Sequence, residues 1–310
     1  MPGNVDMWDL IARNKRNTVI LISSFILFMG VLGYVFGAVY GQGYYGIAIG
    51  FIVALISGIA VYFSGDAIVL GISGAKKIEK KDSPQLFNVV EEMAIAAGNP
   101  MPEVYVIDDT APNAFAAGRN PEHAKVAITK GLLQKLNRDE LQGVVAHEMS
   151  HVKNFDILYA TLVGVLVGSV AMMCDFFLRF TFFSGGGRRS RRSSSSKGGW
   201  QAQIIFFVIA IVLAIIAPIF AKLMQLAVSR QREYLADATA VQLTRNPDGL
   251  ARALEKISGD KEILEAANRA TQHLYIVNPI KPFESRAKKS SLFSTHPPIE
   301  ERIRILKGLV

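Results

Sequence analysis

Hydrophobic residues in this chain come in long blocks separated by stretches of mixed pattern. Asn17 to Tyr40 and Tyr45 to Phe63 carry no charge. Leu158 to Phe183 is a third block, broken by Asp175 and Arg179, and Gln201 to Ala221 is a fourth, uncharged and rich in Ile, Val and Phe. Each reaches the roughly 20 residues needed to cross a hydrocarbon core about 30 Å thick. The pattern predicts an integral membrane protein, and the first block is too long and too unlike a cleavage site for a removed signal peptide. Removing those blocks leaves residues 66–157 and 228–310, enough chain for a real soluble core if the two parts pack together. The expected organisation is a membrane hairpin over 1–71, a first core part over 72–157, a hydrophobic helix pair joined by a basic loop over 158–227, and a second core part over 228–310. The fold class is mainly α with a small β-sheet. The clearest local pattern is Leu141, Val144, Val145 and Val152 at helical spacing. It comes after Asn137-Arg138-Asp139-Glu140, where Asn at the N-cap and Glu three residues on make a capping-box start.

Charge then orients the blocks. The chain has 310 residues and a net charge of +8. Arg13, Lys15 and Arg16 precede the first block and Lys76, Lys77, Lys80 and Lys81 come after the second, while the turn between them has no Lys or Arg. By the positive-inside rule both ends of the hairpin face the cytoplasm, and the helix that starts after Asn137 lies on that side. The loop from Ser184 to Trp200 carries Arg188, Arg189, Arg191, Arg192 and Lys197 among Gly and Ser. If blocks three and four both span, that basic loop lies outside, against the rule. If they are embedded without crossing, it stays inside, and the Asp175–Arg179 spacing favours this version. The single cysteine, Cys174, lies in an apolar block, so disulfides play no part.

Chemistry enters with His147-Glu148-Met149-Ser150-His151. Histidines four apart share one helix face, so both imidazoles can reach one zinc ion, and the intervening glutamate can take a proton from water activated there. Two close-set histidines on a partly buried helix cost free energy unless they have partners, and a metal supplies them. A catalytic zinc needs a third protein ligand. Asp156, Glu233, Asp237, His273 and His296 are the candidates, with Glu233 the best. Glu233 and Asp237 are four apart, so one can bind metal while the other supports a ligating imidazole. The competing reading pairs both with Arg230 and Arg232 on a solvated helix. His273 shows no ligand spacing, and His123 reads as surface.

The zinc run, the run Arg232-Glu233-Tyr234-Leu235-Ala236-Asp237 and the run Ser294-Thr295-His296-Pro297-Pro298 together resemble the HtpX group of membrane metalloproteases, relatives of the CAAX prenyl proteases. The resemblance extends over nearly the whole chain. It implies a gluzincin-like zinc protease core, with one zinc ion on His147, His151 and Glu233, Glu148 as general base and Asp237 behind the ligands. It implies an edge strand over Pro112 to Gly118 that pairs with substrate backbone through Asn113, Ala114, Phe115 and Ala116; the alternative is an ordinary core strand or turn. His296 matches a position that steadies an oxyanion; the alternative is that it caps a final helix over Ile299 to Leu309. The activity implied is an endopeptidase in the cell membrane, multi-pass, acting from the cytoplasmic face on membrane or misfolded proteins in quality control under stress.

Three other readings compete. One is a CAAX-processing enzyme, for whose large chamber four hydrophobic blocks look too few. A scaffold with an inert metal site has no use for Glu148. The third is a membrane-tethered nucleic-acid or anionic-lipid binder working through the basic loop, which lacks interleaved aromatic residues for stacking on bases, so nucleic acid is not an expected partner.

Overall fold

The computed structural model describes residues 7–39, 42–167, 230–267, 271–277, 279 and 297–309. The fourth block, most of the third, Cys174, Asp175, Arg179, the Ser184–Trp200 loop and His296 lie outside them.

Helices α1 (Met7–Val39) and α2 (Gly43–Ile72) form an antiparallel hairpin. Both carry a stretch long and apolar enough to cross a membrane, Arg16–Tyr34 and Gly43–Ile72. The second runs nine residues past the C-terminal end of the expected block because Ser64, Gly65 and Asp66 do not interrupt the helix. Asp66 is paired with Lys125 at 3.0 Å, which offsets its charge. Glycines let the two backbones meet. A Cβ on Gly46 would lie 2.1 Å from the Gly33 carbonyl oxygen, so no larger residue fits there. On the outer face Ile49, Ile52, Leu55, Ile56 and Phe63 are more than half exposed, which water disfavours and lipid does not.

The second unit is helical around one sheet. Strands β1 (Ala75–Lys77), β2 (Glu103–Ile107), β3 (Ala114–Ala117) and β4 (Lys125–Thr129) lie in the order β1-β2-β4-β3. The β2–β4 pair is parallel and the other two are antiparallel, so the sheet is mixed and β3 is its edge. Helix α3 (Pro84–Ala97) packs Leu86, Val89, Val90 and Met93 into a core shared with Val104, Val126 and Ile128 of the sheet. After the short α4 (Lys130–Lys135) comes α5 (Arg138–Lys153), buried along nearly its whole length between α3, the sheet and the later helices. Its start is the expected capping box: Asn137 Oδ1 accepts from the Glu140 amide at 3.0 Å, and the Glu140 carboxylate accepts from the Asn137 amide at 2.9 Å.

Helix α6 (Asp156–Leu162) continues into a wider turn over Val163–Val167. Its Tyr159 and Leu162 join Leu21, Phe25 and Phe28 of α1, so the helix after the zinc run is seated on the hairpin. Helices α7 (Arg230–Thr244), α8 (Pro247–Gly259) and α9 (Ile299–Lys307) complete the core. Residues from 86–157 and 240–306 thus share one hydrophobic interior. Helices α5 and α8 cross closely: a Cβ on Gly143 would lie 2.8 Å from the Leu250 backbone.

Candidate active site

The second half of α5 projects His147, Glu148 and His151 toward α7, which supplies Glu233 and Asp237. His147 and Glu148 are 1% and 2% exposed. The two imidazoles meet edge to face, with their Nε2 atoms 3.3 Å apart. Glu233 faces both, with carboxylate oxygens 3.8 Å from His147 Nε2 and 3.7 Å from His151 Nε2. His147, His151 and Glu233 each place a donor atom within 4.8 Å of the others.

Each imidazole is oriented from behind by a carboxylate. Asp237 Oδ1 lies 3.0 Å from His147 Nδ1, and Asp156 Oδ2 lies 3.0 Å from His151 Nδ1. Each carboxylate is in turn held by an arginine: Arg302 grips Asp237 at 2.6 and 2.8 Å, and Arg232 Nη1 lies 3.5 Å from Asp156. A turn explains how Asp156 gets there. Phe155 sits at φ +59°, the left-handed region that β-carbon residues rarely adopt, and this folds the chain back so that α6 begins with Asp156 beside His151.

These bonds assign the tautomers. With each Nδ1–H donated to a carboxylate, each Nε2 faces inward. At 3.3 Å a proton on His151 bridges the two nitrogens when no metal is bound, and its departure presents two lone pairs to a metal ion. Tetrahedral zinc with N ligands at about 2.0–2.1 Å needs imidazole nitrogens about 3.4 Å apart, so the donor set and its spacing fit a metal ion. A second observation agrees. Glu148 Oε1 is buried and has no hydrogen-bond partner among the described residues, although the carboxylate accepts from the Ala116 amide.

Burial lowers the His147 imidazole's pKa, against the pull of Asp237. His151 also loses solvation, but the Asp156 bond and the charges of Glu233 and Glu148 outweigh this and lift it to about 9. Burial pushes Glu148 up to about 7. Asp237 is pulled below its ordinary value because the Arg302 guanidinium outweighs its desolvation.

The site opens on a narrow cavity of about 40 Å³ lined by Ala116, His147, Glu148, His151, Glu233 and His273, among others. Strand β3 borders it, and the four residues expected to bind substrate are placed differently from one another. The Ala114 carbonyl already accepts from the Ile276 amide at 3.0 Å, and the Asn113 side-chain amide donates to the Val277 carbonyl at 2.9 Å. Backbone groups alternate sides along a strand, so Phe115 and Ala117 turn theirs to β4, and Phe115 packs its ring on Tyr275. Ala116 is the member of the set that faces the cavity. The chain's own residues 276–277 cover the rest of the edge, which no pattern in β3 foretells.

A solvated α7 with Glu233 and Asp237 paired to Arg230 and Arg232 is not what forms. Both carboxylates are buried, and Arg232 turns to Asp156. Asp156, a candidate third ligand, instead stands behind His151. His273, which lacks ligand spacing, lines the cavity and lies 3.0 Å from the Ala160 carbonyl through Nε2. Sequence reasoning misses Arg302, although its signal is present: it occupies the apolar face of α9 with Ile299, Ile303 and Leu306.

Residues 80–310 match the model of peptidase family M48. The chain belongs to peptidase family M48. It is a metal-dependent protease, a hydrolase of peptide bonds, and its relatives place it with the HtpX type. A protein named protease HtpX homolog from Tropheryma whipplei (strain Twist) is 47% identical over 306 residues, 98% of each chain. One of the same name from Listeria monocytogenes serotype 4b (strain CLIP80459) is 42% identical, over 98% of this chain and all of its own. A third, from Dictyoglomus thermophilum, is 43% identical over 97% of this chain and 94% of its own. The crystal structure of S. mikatae Ste24p aligns with 97% of this M48 chain and 66% of its own at 20% identity and a TM-score of 0.47, too distant to carry a conclusion.

Proposed function

We propose that this M48 protease is a zinc endopeptidase seated in the membrane by the α1–α2 hairpin, cleaving membrane or misfolded proteins at the cytoplasmic face in protein quality control. The observation that carries the catalytic part is the pair of inward-facing imidazole nitrogens 3.3 Å apart, with Glu233 across from them and Glu148 beside them. His147, His151 and Glu233 hold the metal, with Asp237 and Asp156 fixing the two rings. Of the first-row metals that imidazole suits, a His, His, carboxylate set with one open position favours zinc. Bound there, the metal supplies Lewis acidity that makes water a nucleophile near neutral pH.

Glu148 does the proton work. Its unpartnered Oε1 accepts the proton of the attacking water and returns it to the departing amine, and burial raises its affinity for that proton above that of an ordinary carboxylate. An extended peptide adds to the β3 edge at the Ala116 carbonyl, which reads backbone rather than side chains; this supports broad specificity. His296, on the family resemblance alone, is the candidate donor to the oxyanion.

The cytoplasmic orientation rests on Arg13, Lys15 and Arg16 before the hairpin and Lys76, Lys77, Lys80 and Lys81 after it. The division at 71, 157 and 227 is proposed on the pattern of hydrophobic blocks. Zinc content tests the ligand set: Glu233→Ala is expected to bind zinc far more weakly than wild type. Unchanged zinc would move the third ligand to Asp237 or Asp156.

A further inference from the structure

Arg302 leads the largest fully buried side chains of the described residues, and no step of the proposed reaction uses it. From α9 its Nε and Nη2 donate to both oxygens of Asp237, at 2.8 and 2.6 Å. Its Nη1 lies 3.4 Å from Glu233 Oε2 and donates to the Ile276 carbonyl at 3.2 Å. The Ile276 amide in turn donates to the Ala114 carbonyl on the edge of β3. One guanidinium therefore touches the carboxylate behind His147, a proposed metal ligand, and the wall that closes the cavity against the substrate edge.

We propose that Arg302 is a positioning residue that couples metal loading to the closure of residues 271–277 over the edge of β3. This rests on the reading of His147, His151 and Glu233 as metal ligands. In the structure Nη1 donates to the Ile276 carbonyl at 3.2 Å and lies at ion-pair distance, 3.4 Å, from Glu233 Oε2. A metal ion that takes up the Glu233 carboxylate weakens that competing pull, so Nη1 holds the wall more firmly. By linkage, a firmly held wall tightens the metal in equal measure. The arrangement needs a guanidinium: its donors lie in a rigid fork and serve Asp237 and Ile276 together, which the single nitrogen of lysine cannot. The consequence for the reaction is that the peptide edge at Ala116 and the ligand cluster are held in register by the same side chain.

Hydrogen exchange over residues 274–277 tests this on the full chain in detergent, loaded with zinc and stripped by a chelator. In wild type, stripping is expected to speed exchange of that segment about fivefold or more. In Arg302→Lys, exchange is expected to be fast with or without zinc, and the zinc dissociation constant to rise about tenfold or more. A purely architectural arginine would leave the wild-type segment indifferent to zinc, and that result overturns the proposal. So does a full zinc response in Arg302→Lys. If that variant does not fold, the wild-type comparison decides by itself. Wild type that binds no zinc would instead overturn the ligand assignment, which keeps the two failures apart.

Discussion

The carboxylates behind the histidines carry as much of the site as the histidines themselves. Asp156 and Asp237 each accept from an Nδ1–H and so direct an Nε2 toward the proposed metal position. Asp156→Asn and Asp237→Asn are therefore each expected to weaken zinc binding about 10–100-fold with the helices intact, as read by metal titration and circular dichroism. Proton release is a consequence of the same geometry. The metal binds a neutral imidazole, and in the metal-free protein His151 holds its proton up to about pH 9. Zinc uptake near neutral pH must expel that proton, so the apparent affinity is expected to climb with pH and level off above about 9. Affinity flat across that range would contradict the His151–Asp156 assignment. The HExxH spacing makes His147, Glu148 and His151 legible because a helix converts i, i+4 into one face. Asp156 is not legible in this role, since only the left-handed turn at Phe155 brings it back to His151.

Helix α5 has little redundancy, because one element carries three of the site's residues and is packed on every side. Its first turn depends on the Asn137–Glu140 capping box, whose Glu140 also binds Lys256 of α8 at 2.7 Å. Asn137→Ala is expected to cost about 1 kcal/mol of stability without altering zinc content, measurable as a lowered denaturation midpoint. That cap, the apolar spacing of α5 and the hairpin helices are all readable from the sequence, since each is a local pattern. The cover over β3 is not. It depends on residues 276 and 277 meeting residues 113 and 114, a pairing set by tertiary packing alone. Arg302 lies between these cases. An arginine among Ile299, Ile303 and Leu306 violates the amphipathic pattern of α9, and such a violation marks a buried partner before the partner is known.

At the scale of the whole molecule, the hairpin and the protease core are tied together through α6. Tyr159 and Leu162 pack on α1, while Asp156 at the start of the same helix orients His151. The Asp66–Lys125 pair makes a second tie, from α2 to β4. Gly46→Leu, which cannot fit against the Gly33 carbonyl, is expected to splay the hairpin and lower activity together with thermal stability, although it is remote from the metal ligands. Full activity in that variant would show that the core works independently of the hairpin. The claim on which the rest depends is that Glu148 is the base of a zinc site. Zinc content and casein cleavage, measured side by side on detergent-purified wild type and Glu148→Gln, test it most directly. The expected result is equal zinc in both proteins and cleavage by wild type alone; cleavage retained by Glu148→Gln would contradict it.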